Sequence, residues 1–257
     1  MEIDATLWLL TALAGFAAGL IDSIVGGGGL VLTPAMLNLH PGLNILQAIG
    51  TQRTSSIMGT SVAAWNYLRK IHIERRILLP ACVAAMAASA IGVQFAKRLD
   101  PELLKWTVLA ICVILAVYTV FRKDLGLKEE RRFHPKHESL AALSIGTASG
   151  FYNGLIGPGT GTIMVFAFVS FLGLDFLKSS AVSKAANVSA DISSWTVLML
   201  SGFVLWVLAV PLIIGNMLGS YIGSHMAIRK GQTFVRAMFL VIVLALIARQ
   251  AWQLLTA

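Results

Sequence analysis

The sequence predicts an all-α integral membrane protein built from two similar repeats of about four hydrophobic segments each. Three observations predict it. Of the 257 residues, 57% are hydrophobic and only 12% charged, about half the charge of a typical soluble domain. Mean hydropathy is +0.79. Gly15, Ala17, Gly19, Gly26 and Gly28 reappear as Gly146, Ala148, Gly150, Gly157 and Gly159, each 131 positions later. Pro80, Met86, Gly92 and Arg98 reappear at the same offset as Pro211, Met217, Gly223 and Arg229. The chain thus divides into a membrane repeat over 1–122, a charged linker over 123–137 and a second membrane repeat over 138–257.

Each half opens on a glycine-broken segment. From Ala5 to Leu39 runs a stretch of about 35 mostly apolar residues interrupted by Gly26-Gly27-Gly28-Gly29. One straight helix of that length would reach roughly 50 Å, against a hydrocarbon core of roughly 30 Å. Four glycines carry a backbone entropy cost and almost no packing, so the helix should break there. A broken membrane helix frees backbone groups and persists where it lines a cavity. That makes the first segment of each half a candidate re-entrant hairpin. Taken alone, the glycines could equally serve close helix contact; their recurrence in both halves, inside a repeat, favours a transporter architecture.

Further apolar runs lie near 44–66, 77–96, 104–121, 179–199, 203–225 and 233–253 and read as membrane helices. His40-Pro41-Gly42-Leu43-Asn44 reads as a turn, and Pro80 and Pro211 as first-turn prolines. Met1-Glu2-Ile3-Asp4 is acidic and lacks a basic region, so no cleaved signal peptide is expected. Cys82 and Cys112 both fall inside spans, which predicts two buried thiols and no disulfide framework. Trp8, Trp106 and Trp252 fall near span ends, where aromatic belts form.

The net charge of +8 is no sign of nucleic acid, because it concentrates in loops at Arg69-Lys70, Arg75-Arg76, Arg122-Lys123 and 128–136. Treating the broken segments as hairpins puts 14 Lys and Arg on one side and 4 on the other, with Arg53 and Lys184 left inside helices. Treating them as full spans gives 11 against 7. The positive-inside rule favours the first arrangement, with inverted repeats and both termini outside. It also accounts for the basic 69–76 loop having an uncharged counterpart at 200–207, since inverted repeats place the two on opposite faces. A multi-pass protein of a cell membrane follows.

The polar residues inside the spans are the candidate site. Arg53, Ser56 and Thr60 share a helix face, and the repeat matches them to Lys184, Asn187 and Asp191. A cation near a helix centre costs roughly 2.5–3.5 kcal/mol even on a lenient scale, so two at matching positions need partners. Asp22 and Asp191 are the internal candidates, and simple neutralisation is one reading. The other is that one or both cations face a cavity and bind an anion, helped by half-helix N-termini at the glycine breaks. On that reading Arg53, Lys184, Gln52, Ser56, Asn187, Gly28, Gly29, Gly159 and Thr160 bind substrate. Asp22, Asp191 and Asn153, which stands at the position equivalent to Asp22, balance charge or couple a proton or sodium ion. His72, His134 and His137 lie in basic loops, and His225 reads as interfacial.

Gly15-Phe16-Ala17-Ala18-Gly19-Leu20-Ile21-Asp22-Ser23-Ile24-Val25 with its four glycines, together with Gly50-Thr51-Gln52-Arg53, resembles the motifs of the sulfite exporter TauE/SafE family of membrane transporters. Asn153-Gly154-Leu155-Ile156-Gly157-Pro158-Gly159-Thr160-Gly161 and Ser183-Lys184-x-x-Asn187 carry the likeness into the second half. Arg53 stands where many relatives have Lys. The resemblance implies a secondary transporter, an exporter of sulfite, a sulfonate or a related small anion, working by alternating access. An anion-selective channel is the alternative. No phosphate loop, H-E-x-x-H or G-x-S-x-G is present, so neither ATP-driven transport nor an intramembrane enzyme is expected. No cofactor or metal is expected, and a homodimer is plausible from size alone.

Overall fold

In a computed structural model of the chain, residues 4–96 and 126–255 are described. Among them the ordered structure is helical: α1 (Ala5–Val25), α2 (Gly28–Leu39), α3 (Ile45–Lys70), α4 (Arg75–Ala96), α5 (Pro135–Leu155), α6 (Thr160–Ala167, continued by a π turn over Phe168–Leu172), α7 (Phe176–Leu200) and α8 (Trp206–Leu255). The span expected at 104–121, with Trp106 and Cys112, and the boundary between first repeat and linker lie outside the described residues. Ala5–Val25, Arg75–Ala96 and Trp206–Ile242 are each long and apolar enough to cross a membrane. Large apolar side chains such as Leu79, Val83, Ile91, Val207, Ile214 and Leu218 are exposed on α4 and α8, as a lipid-facing surface requires.

The breaks fall where the glycines are. Gly26 ends α1 at φ 95°, and its N–H donates to the Asp22 carbonyl at 2.7 Å. This left-handed cap is one that glycine adopts without a Cβ penalty. α2 then turns back along α1. Gly28 N–H donates to Asp22 Oδ1 at 3.3 Å, Leu32 and Met36 pack with Ala14 and Ala18, and His40 meets Thr11 at 3.0 Å. In the second half Gly157 and Gly159 both have positive φ between α5 and α6. The two turns touch: Thr162 N–H donates to the Gly26 carbonyl at 3.2 Å, and a Cβ on Gly26 would collide with the Gly161 backbone.

Helix directions follow from contact register. Gly215, Gly219 and Gly223 of α8 lie against Ala12, Phe16 and Leu20 of α1, so those helices run the same way. Gly146, Gly150 and Gly154 of α5 lie against Ala81, Ala85 and Ser89 of α4, again co-directional. Asp22 and Ser23 meet Thr60 and Tyr67, so α3 runs with α1. α7 runs against α3, because Arg53 and Thr54 meet Ser194 and Trp195 while Ser56 meets Asp191. α5 also opposes α3: its first turn, at Glu138, is tied to Arg76 just past the α3 end, and Asn153 near its last turn meets Arg53 in mid-α3. The contacts recur at the sequence offset. Gly15 packs on Leu212 and Gly19 on Asn216, as Gly146 packs on Ala81 and Gly150 on Ala85.

Local signals set most helix starts. Asn44 caps α3 in a reciprocal capping box with Gln47, and Asp175 caps α7 by accepting from Lys178 N–H at 2.8 Å. The proline expectation is corrected: α4 begins at Arg75 and α8 at Trp206, which puts Pro80 and Pro211 a turn inside rather than in the first turn. Each removes only one hydrogen bond close to a helix start, where the cost is smallest. The runs at 203–225 and 233–253 are two helices that meet at Gly231, whose φ of 80° and ψ of −176° are not helical; Gly223 and Ile242 both lie beside the glycine break, so the chain reverses between them. Cys82 is a half-buried free thiol.

Candidate anion site between the helix breaks

Four helices bring the polar residues together. Arg53 is 4% exposed and Lys184 is not exposed at all. Arg53 of α3 reaches α5 at the position its repeat partner would predict: Nη1 donates to Asn153 Oδ1 at 2.9 Å, and Nη2 to the Asn153 carbonyl at 2.5 Å. Nη1 also contacts Ser194 Oγ and stands 3.6 Å from Asp191 Oδ1. Lys184 of α7 makes the matching pair of contacts in the other half, donating to the Asp22 carbonyl and to Asp22 Oδ2, the latter at 3.1 Å. Each cation therefore faces a carboxylate, and the cluster of Arg53, Lys184, Asp22 and Asp191 sums to zero formal charge.

The two carboxylates are held differently. Asp22 accepts from the Lys184 ammonium, from Thr60 Oγ1 at 3.1 Å and from the Gly28 amide. Asp191 accepts from Asn153 Nδ2 at 2.9 Å, Ser56 Oγ at 3.1 Å and Asn187 Nδ2 at 3.5 Å. Its cationic neighbour stands outside hydrogen-bonding distance, because Arg53 spends its hydrogen bonds on Asn153 and Ser194. Among the described residues Arg53 Nε is buried with no partner, an orphaned donor of a kind that native interiors rarely keep.

Between these groups lies a cavity of about 30 Å³ lined by Asp22, Gln52, Arg53, Ser56, Asn153, Asn187 and Asp191, and by glycines and Thr160 of the helix breaks. That is space for one or two water molecules. Of the residues singled out in the sequence, Gly29, Gly159 and Thr160 also line it, whereas Lys184 and Gly28 stand behind the wall with Asp22 as their partner. Gln52 is fixed by the Thr33 hydroxyl, which donates to its Oε1 at 2.5 Å. Sequence reasoning missed Ser89, whose hydroxyl meets Asn153 Oδ1 at 3.1 Å and the Ala190 carbonyl at 2.9 Å. The signal was present, since Ser89 and Ser220 occupy matching repeat positions. It also missed Ser194, whose repeat equivalent is Ala63 and which no pattern marked.

A second polar cluster lies at the ends of α4, α5 and α7. Arg131 bonds Glu74 through both carboxylate oxygens at 2.8 and 3.0 Å, Glu138 at 2.9 Å, and Glu129. Glu138 also pairs with Arg76 at 2.9 Å, and Glu129 with Lys178. Burial alone would raise the Glu74 and Glu129 carboxyls, but hydrogen bonds from Arg131, and from Lys178 at Glu129, outweigh it and hold both below the usual carboxylate range.

Comparison with known proteins finds relatives named as membrane transporters. A family model described as sulfite exporter TauE/SafE matches residues 11–249. A probable membrane transporter protein of a Sinorhizobium species is 30% identical over 92% of this chain and 89% of its own length. One from Haemophilus influenzae is 30% identical over 98% of both chains. The probable membrane transporter protein YfcA of Escherichia coli is 27% identical over 92% of this chain and 85% of its own.

Proposed function

The chain belongs to the sulfite exporter TauE/SafE family of membrane transporters, and from that premise we propose that it exports a small sulfur-containing anion, such as sulfite or an organosulfonate, by alternating access. The observation that carries the reading is the pair Arg53 and Lys184. They are buried at matching positions of two repeats, beside a cavity walled by the helix breaks. Keeping two cations there is expensive in a membrane and marks an ion pathway. Arg53, with its unpartnered Nε, is the first contact for the anion. Gln52, Ser56, Asn187, Gly29, Gly159 and Thr160 complete the first contacts, while Lys184 and Gly28 act through Asp22. The small cavity favours a carrier that opens in turn to each side over a channel with a standing pore.

The repeats act as an inverted pair, and the two hairpins enter from opposite faces. Supporting this, α1 and α3 run against their repeat equivalents α5 and α7, and the hairpin turns meet at Gly26 and Gly161. Both termini are placed on the outer side of a bacterial inner membrane, with the linker over 123–137 inside.

Uptake of radiolabelled sulfite into proteoliposomes, with sulfoacetate and taurine as competitors, tests the reading. Saturable uptake blocked by one competitor is expected. Arg53→Gln should abolish that uptake while the protein still elutes as one monodisperse species; normal transport by this variant would remove Arg53 from the site.

A further inference from the structure

The cluster of two cations and two carboxylates is neutral before any anion arrives, and its cavity has room for only one or two waters. A negative charge entering so dry a place needs a compensating positive one, since uncompensated charge in a low-dielectric interior costs several kcal/mol. We propose that Asp191 takes up that charge as a proton, so that each singly charged anion binds together with one proton; the inference rests on the anion site argued above.

Geometry selects Asp191 over Asp22. Asp22 touches an ammonium directly, and neutralising it would strand Lys184, which is fully buried and whose acceptors among the described residues are the Asp22 carboxylate and carbonyl. Among the described residues the Asp191 carboxylate bonds only the neutral groups Asn153, Ser56 and Asn187, with Arg53 3.6 Å away. An anion bound by Arg53, whose Nε has no partner among the described residues, draws away the positive charge that stands 3.6 Å from the Asp191 carboxylate and favours its ionised form. Among the described residues the charged and titratable surroundings of Asp191 are few. α3 supplies Arg53, α1 Asp22 and α7 itself Lys184. α4 supplies Ser89 and the Cys82 thiol, which lies against Ser189. α5 and α6 supply only neutral groups to the site, Asn153 and Thr160. The proton comes from water through the cavity and adds to a carboxylate oxygen of Asp191. The new O–H donates to Ser56 Oγ, whose hydroxyl turns from donor to acceptor. The five-group assembly, anion included, is again neutral.

The test is titration calorimetry of the purified full-length protein with potassium isethionate, a sulfonate whose charge does not change with pH. Runs in two buffers of different ionisation enthalpy count the protons taken up. The expected result is about one proton per anion, with affinity falling roughly tenfold per pH unit above the Asp191 pKa. Asp191→Asn should still bind isethionate, take up no proton and lose the pH dependence. Binding by the unaltered protein without proton uptake, or uptake that persists in Asp191→Asn, overturns the proposal. So does binding that requires sodium in place of the proton. Should the Asn variant fail to purify, Asp191→Glu must displace the pH midpoint of binding, and an unmoved midpoint overturns it equally. No isethionate binding at all by the unaltered protein defeats the sulfonate site itself, and this inference with it.

Discussion

Lys184 shows what a buried cation demands of its neighbours. It is fully buried, and its ammonium is spent on Asp22. Removing one partner of a buried pair leaves the other charge uncompensated and costs about 3–5 kcal/mol. Lys184→Gln should therefore lower the thermal unfolding temperature in detergent sharply. Lys184→Gln combined with Asp22→Asn should recover much of the loss, because an apolar or neutral replacement of both partners is far cheaper. If the double variant is as unstable as the single one, the pair is not what holds this region. The sequence showed that these two cations needed partners and that Asp22 and Asp191 were the available ones. It could not show that the pairing crosses the halves of the chain, each cation reaching the first hairpin helix of the opposite repeat. That pairing depends on how the repeats interlock, and no residue pattern encodes it.

At the scale of elements, the helix breaks were legible because the glycines interrupt an apolar run too long for one span and recur at the same place in both halves. The contact between the breaks was not. Gly26 has φ 95° and abuts the Gly161 backbone, so Gly26→Ala should cost of order 1–3 kcal/mol in strain and displace the opposite turn. Thermal unfolding measures the first effect; loss of sulfite uptake, with the helical circular dichroism retained, measures the second. The cluster around Arg131 was read only as loop charge, because nothing local shows that Glu74, from a distant loop, joins Glu129 and Glu138 on one guanidinium. Both Glu74 and Glu129 have carboxyls held below their ordinary value. A lowered carboxylate contributes stability that is complete above the unfolded-state value and is lost as pH falls through the folded one. The contribution of this cluster should therefore be constant from neutral pH down to the ordinary carboxylate range and fall away only below it. Comparing unfolding temperatures of the unaltered protein and Glu74→Gln across that range should show a gap that closes under acid.

For the whole molecule, the question that sequence and contacts approach from different sides is orientation. The charge count rests on loops, and the contact register on helix packing, and the two are physically independent. Together they place the turn before α3 and the turn before α8 at one end of the molecule. The turn before α4 and the linker before α5 lie at the other, with the cation site between. If the glycine-broken segments crossed the membrane once each, the turn at Pro41 and the turn at Ser201 would fall on opposite faces. If each returns to the face it entered from, they fall on the same one. Single cysteines at Pro41, His72, Lys128 and Ser201, all exposed positions, in a background with Cys82 and Cys112 changed to Ser, decide between these in intact cells. A membrane-impermeant maleimide should label Pro41→Cys and Ser201→Cys from outside, and His72→Cys and Lys128→Cys only after the cells are opened. Labelling of Pro41→Cys and Ser201→Cys from opposite sides would make the repeats parallel. The two cations would then no longer be related by an axis in the membrane plane, and alternating access by exchange of two equivalent halves would lose its structural basis.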